Sequence, residues 1–240
     1  GYAWRQSLGQ HQLEEAFSFI HQRLPGVIIA VDNCYCEFCE INEPTAYGAD
    51  IMAGSLIKNP GGGLAPTGGY VAGKSALVER VAQRLTVPGL GAEVGSYAGD
   101  YRVFYQGLFM APHTVAQCLK SVALFAACLE QLGFETLPAY NDPRSDIVES
   151  IRFGSPEKLI QFCKGIQKAA PVDSNLVPEP WDMPGYADPV IMAEGSFVQG
   201  ATTELSVDGP MRAPYIGYLQ GSLTYAHGRI AAMLAVDALL

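Results

Sequence analysis

Hydrophobic positions in the first part of the chain recur first at helical spacing and then as a continuous run. Residues 10–24 are predicted to form a helix that Pro25-Gly26 ends, because their apolar positions have helical spacing: Leu13, Phe17, Ile20 and Leu24. The next segment, 27–31, is apolar throughout and stops at Asp32. Such a run is typical of a strand buried on both faces of a parallel sheet, with the acid at its carboxyl end.

The same alternation continues to about residue 95. "GADIMAGSL" (48–56) and "GGYVAG" (68–73) predict two further strands, and "KSALVERVAQRL" (74–85) predicts a helix. Strands that alternate with helices are typical of an α/β sheet. We therefore predict the α/β class for this part of the chain.

From about residue 110 the pattern indicates a second, smaller α+β domain. A long helix is predicted over 112–132, ended by Gly133, with one apolar stripe: Val115, Leu119, Val122, Ala126 and Leu129. The segments after it predict strands in "ETLPAY", "DIVESIRF", "PVIMAEG" and "TTELSVDG", a helix from Ser155-Pro156 through Lys168, a loop over 171–189 and a last helix to Leu240. We predict two domains, 1–110 and 111–240.

The composition limits the kinds of molecule that the protein is expected to bind. The chain has 240 residues, 49% of them hydrophobic and 16% charged, which is enough apolar material for a large core. A net charge of −9 argues against binding to nucleic acid or to an anionic membrane, since both need a basic surface. Six cysteines in a chain of this length do not resemble a disulfide framework, so we expect a reducing, cytoplasmic location.

One segment matches a phosphate-loop motif by letter. Residues 68–75, "GGYVAGKS", satisfy G-x-x-x-x-G-K-S. A phosphate loop must follow a buried strand, however, and this segment follows "PGGGLAPT". We interpret it as a strand and the start of a helix.

Three cysteines lie close together at Cys34, Cys36 and Cys39. Thiolates at this spacing can hold zinc or an iron–sulfur cluster, but a closed site needs four ligands, and no fourth ligand follows at a suitable spacing. We therefore favour small buried hydrophobic side chains over a metal site, and predict no metal.

A third group of residues has side chains that can take part in catalysis. Asp32 ends one predicted strand, and Ser55 and Lys58 follow the next, in "AGSLIKNPGGG". The carboxyl ends of parallel strands meet at one edge of a sheet, where α/β proteins bind ligands. A lysine amine, an acid and a hydroxyl suit pyridoxal phosphate: the amine joins the aldehyde, the acid holds the ring nitrogen protonated and the hydroxyl contacts the phosphate. The alternative is a surface lysine beside an aspartate that caps a strand.

Several longer segments resemble one family. They are similar to the methionine gamma-lyase-like proteins, also called aluminium resistance proteins, which are pyridoxal phosphate enzymes of fold type I related to cystathionine lyases. The segments occur in order along nearly the whole chain: "VDNCYCEF", "GADIMAGSLIKNPGGGLAPTGGYVAG", "FYQGLFMAP", "PVDSNLVPEPWDMPGY" and "ELSVDGPMRAPYIGYLQGSLTY".

The resemblance implies a role for each residue of the third group. Lys58 would be the lysine that forms the imine with the cofactor, Asp32 the partner of the pyridine nitrogen and Ser55 a phosphate ligand. Lys58 would be buried and uncharged when free, and its small neighbours would let the cofactor approach. Residues 1–110 would be the carboxyl-terminal part of the fold type I cofactor-binding large domain, and 111–240 the small α+β carboxyl-terminal domain.

The sequence departs from the family in two places. Family members are longer at the amino end and the chain opens on "GYAWRQSL" without methionine, so we expect the back part of a longer protein. Related lyases carry an arginine before an "LSVG"-like strand, whereas Glu204 stands here. We expect Arg212, in a proline-stiffened loop, to bind the substrate carboxylate instead, with Arg102 as the competing candidate.

The resemblance implies a carbon–sulfur lyase that acts on a sulfur-containing amino acid by β- or γ-elimination, with Lys58 moving the α-proton. Two alternatives stay open: another pyridoxal phosphate reaction, such as racemisation or transamination, and a truncated scaffold without catalysis. We expect a small amino-acid substrate, no nucleic-acid or membrane partner, and a homodimer or homotetramer.

Overall fold

The computed structural model describes residues 3–85, 87–197 and 202–240. The chain forms two compact units, Leu8–Ala111 and Gly1–Ser7 with Pro112–Leu240. We call them the first and the second unit. The assignment of 1–110 and 111–240 to a large and a small domain of a cofactor enzyme stays a prediction.

The first unit is a small α/β structure. Its helices are α1 (Gln10–Arg23) and α2 (Ser75–Leu85), and its strands are β1 (Ala30–Asp32), β2 (Ile51–Ser55) and β3 (Gly69–Gly73). The strand order is β1-β2-β3, with β1 parallel and β3 antiparallel to β2. The predicted helices and the second and third strands are confirmed, but the sheet is mixed and not wholly parallel.

The helical spacing of the first segment has a direct structural cause. Phe17 lies on the inner face of α1 and is buried against Ile29 and Ala49. Leu13 and Ile20, one turn to either side, pack against the same cluster. The apolar stripe of α1 therefore fixes the helix on the segments that lead into β1 and β2.

The prediction of a strand buried on both faces over 27–31 is wrong. The strand is three residues long, and Val27 and Ile28, which precede it, are exposed. The strand lies at the edge of the sheet and pairs only with β2 among the described residues. Val31 packs on the α1 cluster, whereas Ala30 and Asp32 are exposed. Its apolar run thus indicated a strand correctly, but not the extent of its burial.

The second unit is α+β, as predicted. The long helix α3 (Arg102–Gln131) leads into it and is followed by β4 (Glu135–Leu137), β5 (Val148–Arg152), α4 (Pro156–Lys168), β6 (Val190–Glu194), β7 (Ser206–Pro210), β8 (Ile216–Gln220) and α5 (Tyr225–Leu239). The strands form an antiparallel sheet in the order β4-β5-β8-β7-β6. The Ser155 side chain accepts a hydrogen bond from the backbone N–H of Lys158, which confirms the predicted start of α4.

Two elements of the second half differ from the prediction. Helix α3 begins ten residues before the predicted start at residue 112, and Pro112 lies inside it. Strand β8 was not predicted, because Pro214, Gly217 and Gly221 interrupt its hydrophobic pattern. It nevertheless lies at the centre of the sheet, where Gly217 pairs with Ile151 of β5.

The core of the second unit lies between this sheet and its helices. Its fully or almost fully buried side chains come from α3, α4, α5 and all strands but β4, and include Phe125, Leu129, Ile151, Leu159, Phe162, Ile191, Val207, Leu219 and Ala235. No described helix has the length and apolar character needed to span a membrane.

Candidate cofactor-binding site

The candidate site lies at one edge of the sheet of the first unit. Strands β1 and β2 are parallel, and Asp32, the last residue of β1, pairs with Ala53. Ser55 ends β2 two residues later, and the backbone N–H of Lys58 donates to the Ser55 carbonyl at 3.3 Å in the turn that follows. The structure therefore brings the carboxylate, the hydroxyl and the amine to the same edge, as the sequence predicts.

Asp32 is an exposed and ionised carboxylate. The backbone N–H of Cys34 donates to its Oδ1 at 3.1 Å. This bond, with a further contribution from the Cys34 side chain, holds the pKa of Asp32 below its usual range against a small opposing effect of burial. The positive charge of Lys58 acts in the same direction. The site thus offers an anion suited to a protonated ring nitrogen.

Lys58 is half-buried and not buried as expected. Its Nζ lies over the ring of Tyr35, 4.3 Å from the centroid. Burial acts to lower the pKa of Lys58, but Tyr35 and then Cys34 act to raise it, and the net direction is upward. The expectation of an uncharged amine is therefore wrong for this structure, in which Lys58 is a protonated ammonium at neutral pH.

Asn59, which the sequence analysis missed, joins the loop after β1 to the turn after β2 that carries Lys58. We call this turn the lysine turn. Asn59 is fully buried, and its Nδ2 donates to the carbonyl oxygens of Tyr35 and Glu37, each at 2.9 Å. Tyr35 and Phe38 have positive φ angles of 73° and 62°, which places them in the left-handed region that non-glycine residues rarely adopt. The Asn59 amide holds this strained loop against the turn.

A second set of buried polar groups lies behind the loop. The Tyr70 hydroxyl donates to Glu37 Oε1 at 2.9 Å, and Asn33 Nδ2 donates to Glu43 Oε2 at 2.7 Å. Burial raises the pKa of Glu37 to about 7, with Glu43 adding to the increase and Tyr70 and Lys58 opposing it. A Cβ on Gly54 would lie 2.2 Å from Glu37 Oε1. Glycine at this position of β2 therefore makes room for the Glu37 carboxyl group.

The glycines after Lys58 allow a close approach between two segments of the backbone. A Cβ on Gly62 would lie 2.3 Å from the Gly107 carbonyl oxygen, and a Cβ on Gly107 would lie 2.2 Å from that of Gly61. The lysine turn and the first part of α3 are thus in backbone contact, which only glycine permits on both sides. These glycines admit the helix, and the approach of a cofactor past the small neighbours of Lys58 stays a prediction.

The segment that matches a phosphate loop is a strand and a helix start, as interpreted. Gly69–Gly73 forms β3, and Ser75 begins α2. Lys74 Nζ forms an ion pair with Asp50 Oδ1 at 2.5 Å, and Asp50 Oδ2 accepts from the backbone N–H of Ile29 at 2.7 Å. Lys74 therefore stabilises the junction of β1 and β2.

Cys34, Cys36 and Cys39 are half-buried, not buried as predicted, and none of them forms a disulfide with another described residue. Cys36 Sγ and Cys39 Sγ lie 3.8 Å and 3.5 Å from the backbone carbonyls of Cys34 and Tyr35. Among the residues that the structure describes, no group of histidine, cysteine or acidic side chains is arranged to hold a metal ion.

The two candidate arginines are exposed. Arg212 Nη1 lies 3.3 Å from Asp188 Oδ2, and Arg102 begins α3 with its backbone N–H bonded to Asp100. Glu204 is buried, and its Oε2 accepts from the backbone N–H of Phe197 at 2.9 Å. Arg212 and Glu204 lie beyond opposite ends of the five-residue strand β7, whose four steps span about 13 Å at about 3.3 Å each. Arg212 thus cannot fill the position at which related lyases carry their arginine, and its role stays a prediction.

An α/β unit with a lysine and a carboxylate at its sheet edge, followed by an α+β unit, is the arrangement of fold type I pyridoxal phosphate enzymes. The structure of yeast cystathionine gamma-lyase, 16% identical, matches 93% of this chain with a TM-score of 0.55, which shows the shared fold. The family model described as methionine gamma-lyase matches residues 1–240, and the chain belongs to this family.

Two solved structures are much more similar. A protein of Clostridium acetobutylicum, provisionally named a cystathionine beta-lyase involved in aluminium resistance, is 51% identical over 100% of this chain with a TM-score of 0.94. A protein of Clostridium novyi, named a carbon–sulfur lyase involved in aluminium resistance, is 48% identical over 99% of this chain with a TM-score of 0.94. This chain spans 56% of the length of each.

Proposed function

We propose that the chain contributes the lysine-bearing part of a pyridoxal phosphate-dependent carbon–sulfur lyase, which releases a thiol from a sulfur-containing amino acid by β- or γ-elimination. One observation carries the proposal: Lys58 and Asp32 lie at the same carboxyl edge of the sheet and interact electrostatically, in a chain of the methionine gamma-lyase family. The names of the two clostridial proteins support the same class of reaction.

The side chains present fit the cofactor. An exposed carboxylate whose pKa is lowered suits a protonated pyridine nitrogen, so Asp32 would hold the ring. The Ser55 hydroxyl would contact the phosphate, and Lys58 Nζ would hold the aldehyde carbon. When bound, pyridoxal phosphate supplies an electron-withdrawing ring that stabilises negative charge at the α-carbon of an amino acid.

The residues of the chain set the order of proton movements. Lys58 is an ammonium, so it must lose a proton before its nitrogen can form a bond. Its half-exposed position gives that proton a route to solvent water. Once deprotonated, Nζ can accept the α-proton of the substrate and return a proton to a carbon or to the departing sulfur. Asp32 stays ionised throughout, because its pKa lies below the working range.

The test is to label the attachment site. The protein is incubated with pyridoxal phosphate, reduced with borohydride and digested, and the pyridoxyl group is located by mass spectrometry. We expect it on Lys58 in the wild type and on no residue of Lys58→Ala, with thiol release from cystathionine or methionine lost in the same variant. Lys120→Ala, which removes an exposed lysine of α3, is the matched control and should keep both. A stoichiometric label on Lys58→Ala would refute the proposal.

A further inference from the structure

The Lys58 amine lies against the face of one aromatic ring in the structure. Its Nζ lies 4.3 Å from the centroid of the Tyr35 ring, within the distance at which an ammonium is attracted to the face of an aromatic ring. Tyr35 is 5% exposed, so the ring is fixed by its surroundings and shielded from water on most sides. A charge held against a buried ring is stabilised more than one held against an exposed ring.

The ring and the amine belong to two segments that are joined next to this contact. Asn59, the neighbour of Lys58 in sequence, donates from Nδ2 to the Tyr35 carbonyl at 2.9 Å. Cys39 Sγ lies 3.5 Å from the same carbonyl. Tyr35 keeps a left-handed backbone, with φ at 73°, while both groups bond its carbonyl. The loop is therefore held in a strained conformation that puts the ring under the amine.

We propose that Tyr35 is a positioning residue for Lys58: its ring holds the protonated amine near the Asp32 edge of the sheet in the cofactor-free protein, and the amine leaves the ring when it reacts. This inference rests on the proposed function, because it assigns Tyr35 a role only in preparing the reactive lysine. The hydrogen bond from the Asn59 amide to the Tyr35 carbonyl keeps the ring in place.

The groups around Lys58 act on the charge of its amine in opposite directions. Burial acts to lower the pKa of Lys58, whereas the face of the Tyr35 ring, 4.3 Å from Nζ, favours the charged form of the amine. Removing the ring should therefore release the amine and make a larger fraction of it reactive at a given pH. Removing only the phenol hydroxyl should not, since the face of a phenyl ring also attracts a cation.

The experiment compares Tyr35→Phe with Tyr35→Leu in protein free of pyridoxal phosphate. The rate of reductive methylation of Lys58 by formaldehyde is measured at fixed pH by peptide mass spectrometry, with exposed Lys120 in the same molecules as the reference. We expect Tyr35→Leu to raise the rate about two- to fivefold and Tyr35→Phe to leave it nearly unchanged. An unchanged rate in Tyr35→Leu, or an equal increase in both variants, would overturn the inference.

A measurement on the wild type does not depend on the folding of a variant. After methylation with ¹³C-formaldehyde, the Lys58 methyl resonance should lie upfield of those of Lys74, Lys120, Lys164 and Lys168, because it lies in the shielding region of the Tyr35 ring. Lys158 is not a reference, since its Nζ lies 5.0 Å from the centroid of the Phe134 ring. A Lys58 resonance at the position of the exposed lysines would overturn the inference by itself. An upfield resonance together with no pyridoxyl label on Lys58 would leave the ring contact intact and refute the proposed function, whereas a label without the displacement would refute only the role of Tyr35.

Discussion

Glu37 makes the stability of the first unit depend on pH near neutrality. The carboxyl group is 2% exposed, and its Oε2 is buried without a hydrogen-bond partner among the described residues. Burial raises the pKa from the ordinary 4.5 to about 7. A carboxyl group whose pKa is raised on folding stabilises the folded state fully below pH 4.5, and this contribution is lost as the pH rises through 7.

The size of the effect follows from the two pKa values. At about 1.4 kcal/mol for each pH unit, the full difference corresponds to about 3 kcal/mol, most of which falls between pH 5 and pH 8. In Glu37→Gln the group cannot ionise, so this part of the pH dependence should vanish. The buried amide lowers stability by about 1–3 kcal/mol at every pH, because it adds donors without partners. The difference between the two pH values therefore tests the reasoning, and the absolute stability does not.

The assay must report on the first unit. Trp4 and Trp181 both belong to the second unit, so tryptophan fluorescence would follow the wrong part of the chain. Hydrogen exchange of peptides from β2 and α1, corrected for the intrinsic effect of pH, measures local opening directly. From pH 5 to pH 8 the opening equilibrium of the wild type should rise more than that of Glu37→Gln, by a factor on the order of ten to a hundred.

The control is Glu14→Gln, which removes an exposed glutamate of α1 and should keep the wild-type pH dependence. Equal pH dependence in wild type and Glu37→Gln would show that Glu37 does not titrate in this range. A wild type that becomes more stable relative to the variant as the pH rises would reverse the sign of the argument.

Two further predictions follow from the site. Gly107→Ala should lower the stability of the first unit by about 2–3 kcal/mol, since the added Cβ would lie 2.2 Å from the Gly61 carbonyl oxygen. The control is Gly26→Ala, whose added Cβ meets no atom within 4 Å. Equal thermal midpoints for the two variants would contradict the backbone contact. Asp32→Asn should keep the fold but slow the exchange of the substrate α-proton with D₂O at least about tenfold. The control is Asp182→Asn, which changes an exposed aspartate outside the site. Unchanged exchange in Asp32→Asn would remove Asp32 from the site.

The edge of the sheet that carries the site could be predicted from the sequence. The alternation of helix and strand patterns indicates an α/β unit, and parallel pairing of β1 with β2 then brings Asp32 and Lys58 to the same edge. The first step needs only hydrophobic periodicity, and the second only the rule for carboxyl ends of parallel strands. Local pattern was sufficient because Asp32 ends its strand and Lys58 lies only three residues after the end of β2.

The environment of Lys58 could not be predicted in this way. Its Nζ lies over the Tyr35 ring, and the position of that ring depends on a left-handed backbone that no propensity assigns to tyrosine. The start of α3 was missed because Gly107 and Pro112 are typical of helix ends, yet Gly107 is needed for contact with Gly61. Both errors arise from contacts between residues far apart in sequence.

The Asn59 amide has a consequence for the chemical ageing of the protein. Asparagine deamidates when the backbone nitrogen of the next residue attacks the side-chain carbonyl, and this step requires an N–H. The residue after Asn59 is Pro60, whose nitrogen carries no hydrogen. Deamidation would place a carboxylate against the Tyr35 and Glu37 carbonyls and break both hydrogen bonds. The Asn-Pro sequence thus protects a side chain that ties the loop to the lysine turn, and the Asn59 amide should outlast the amides of other asparagines in old protein.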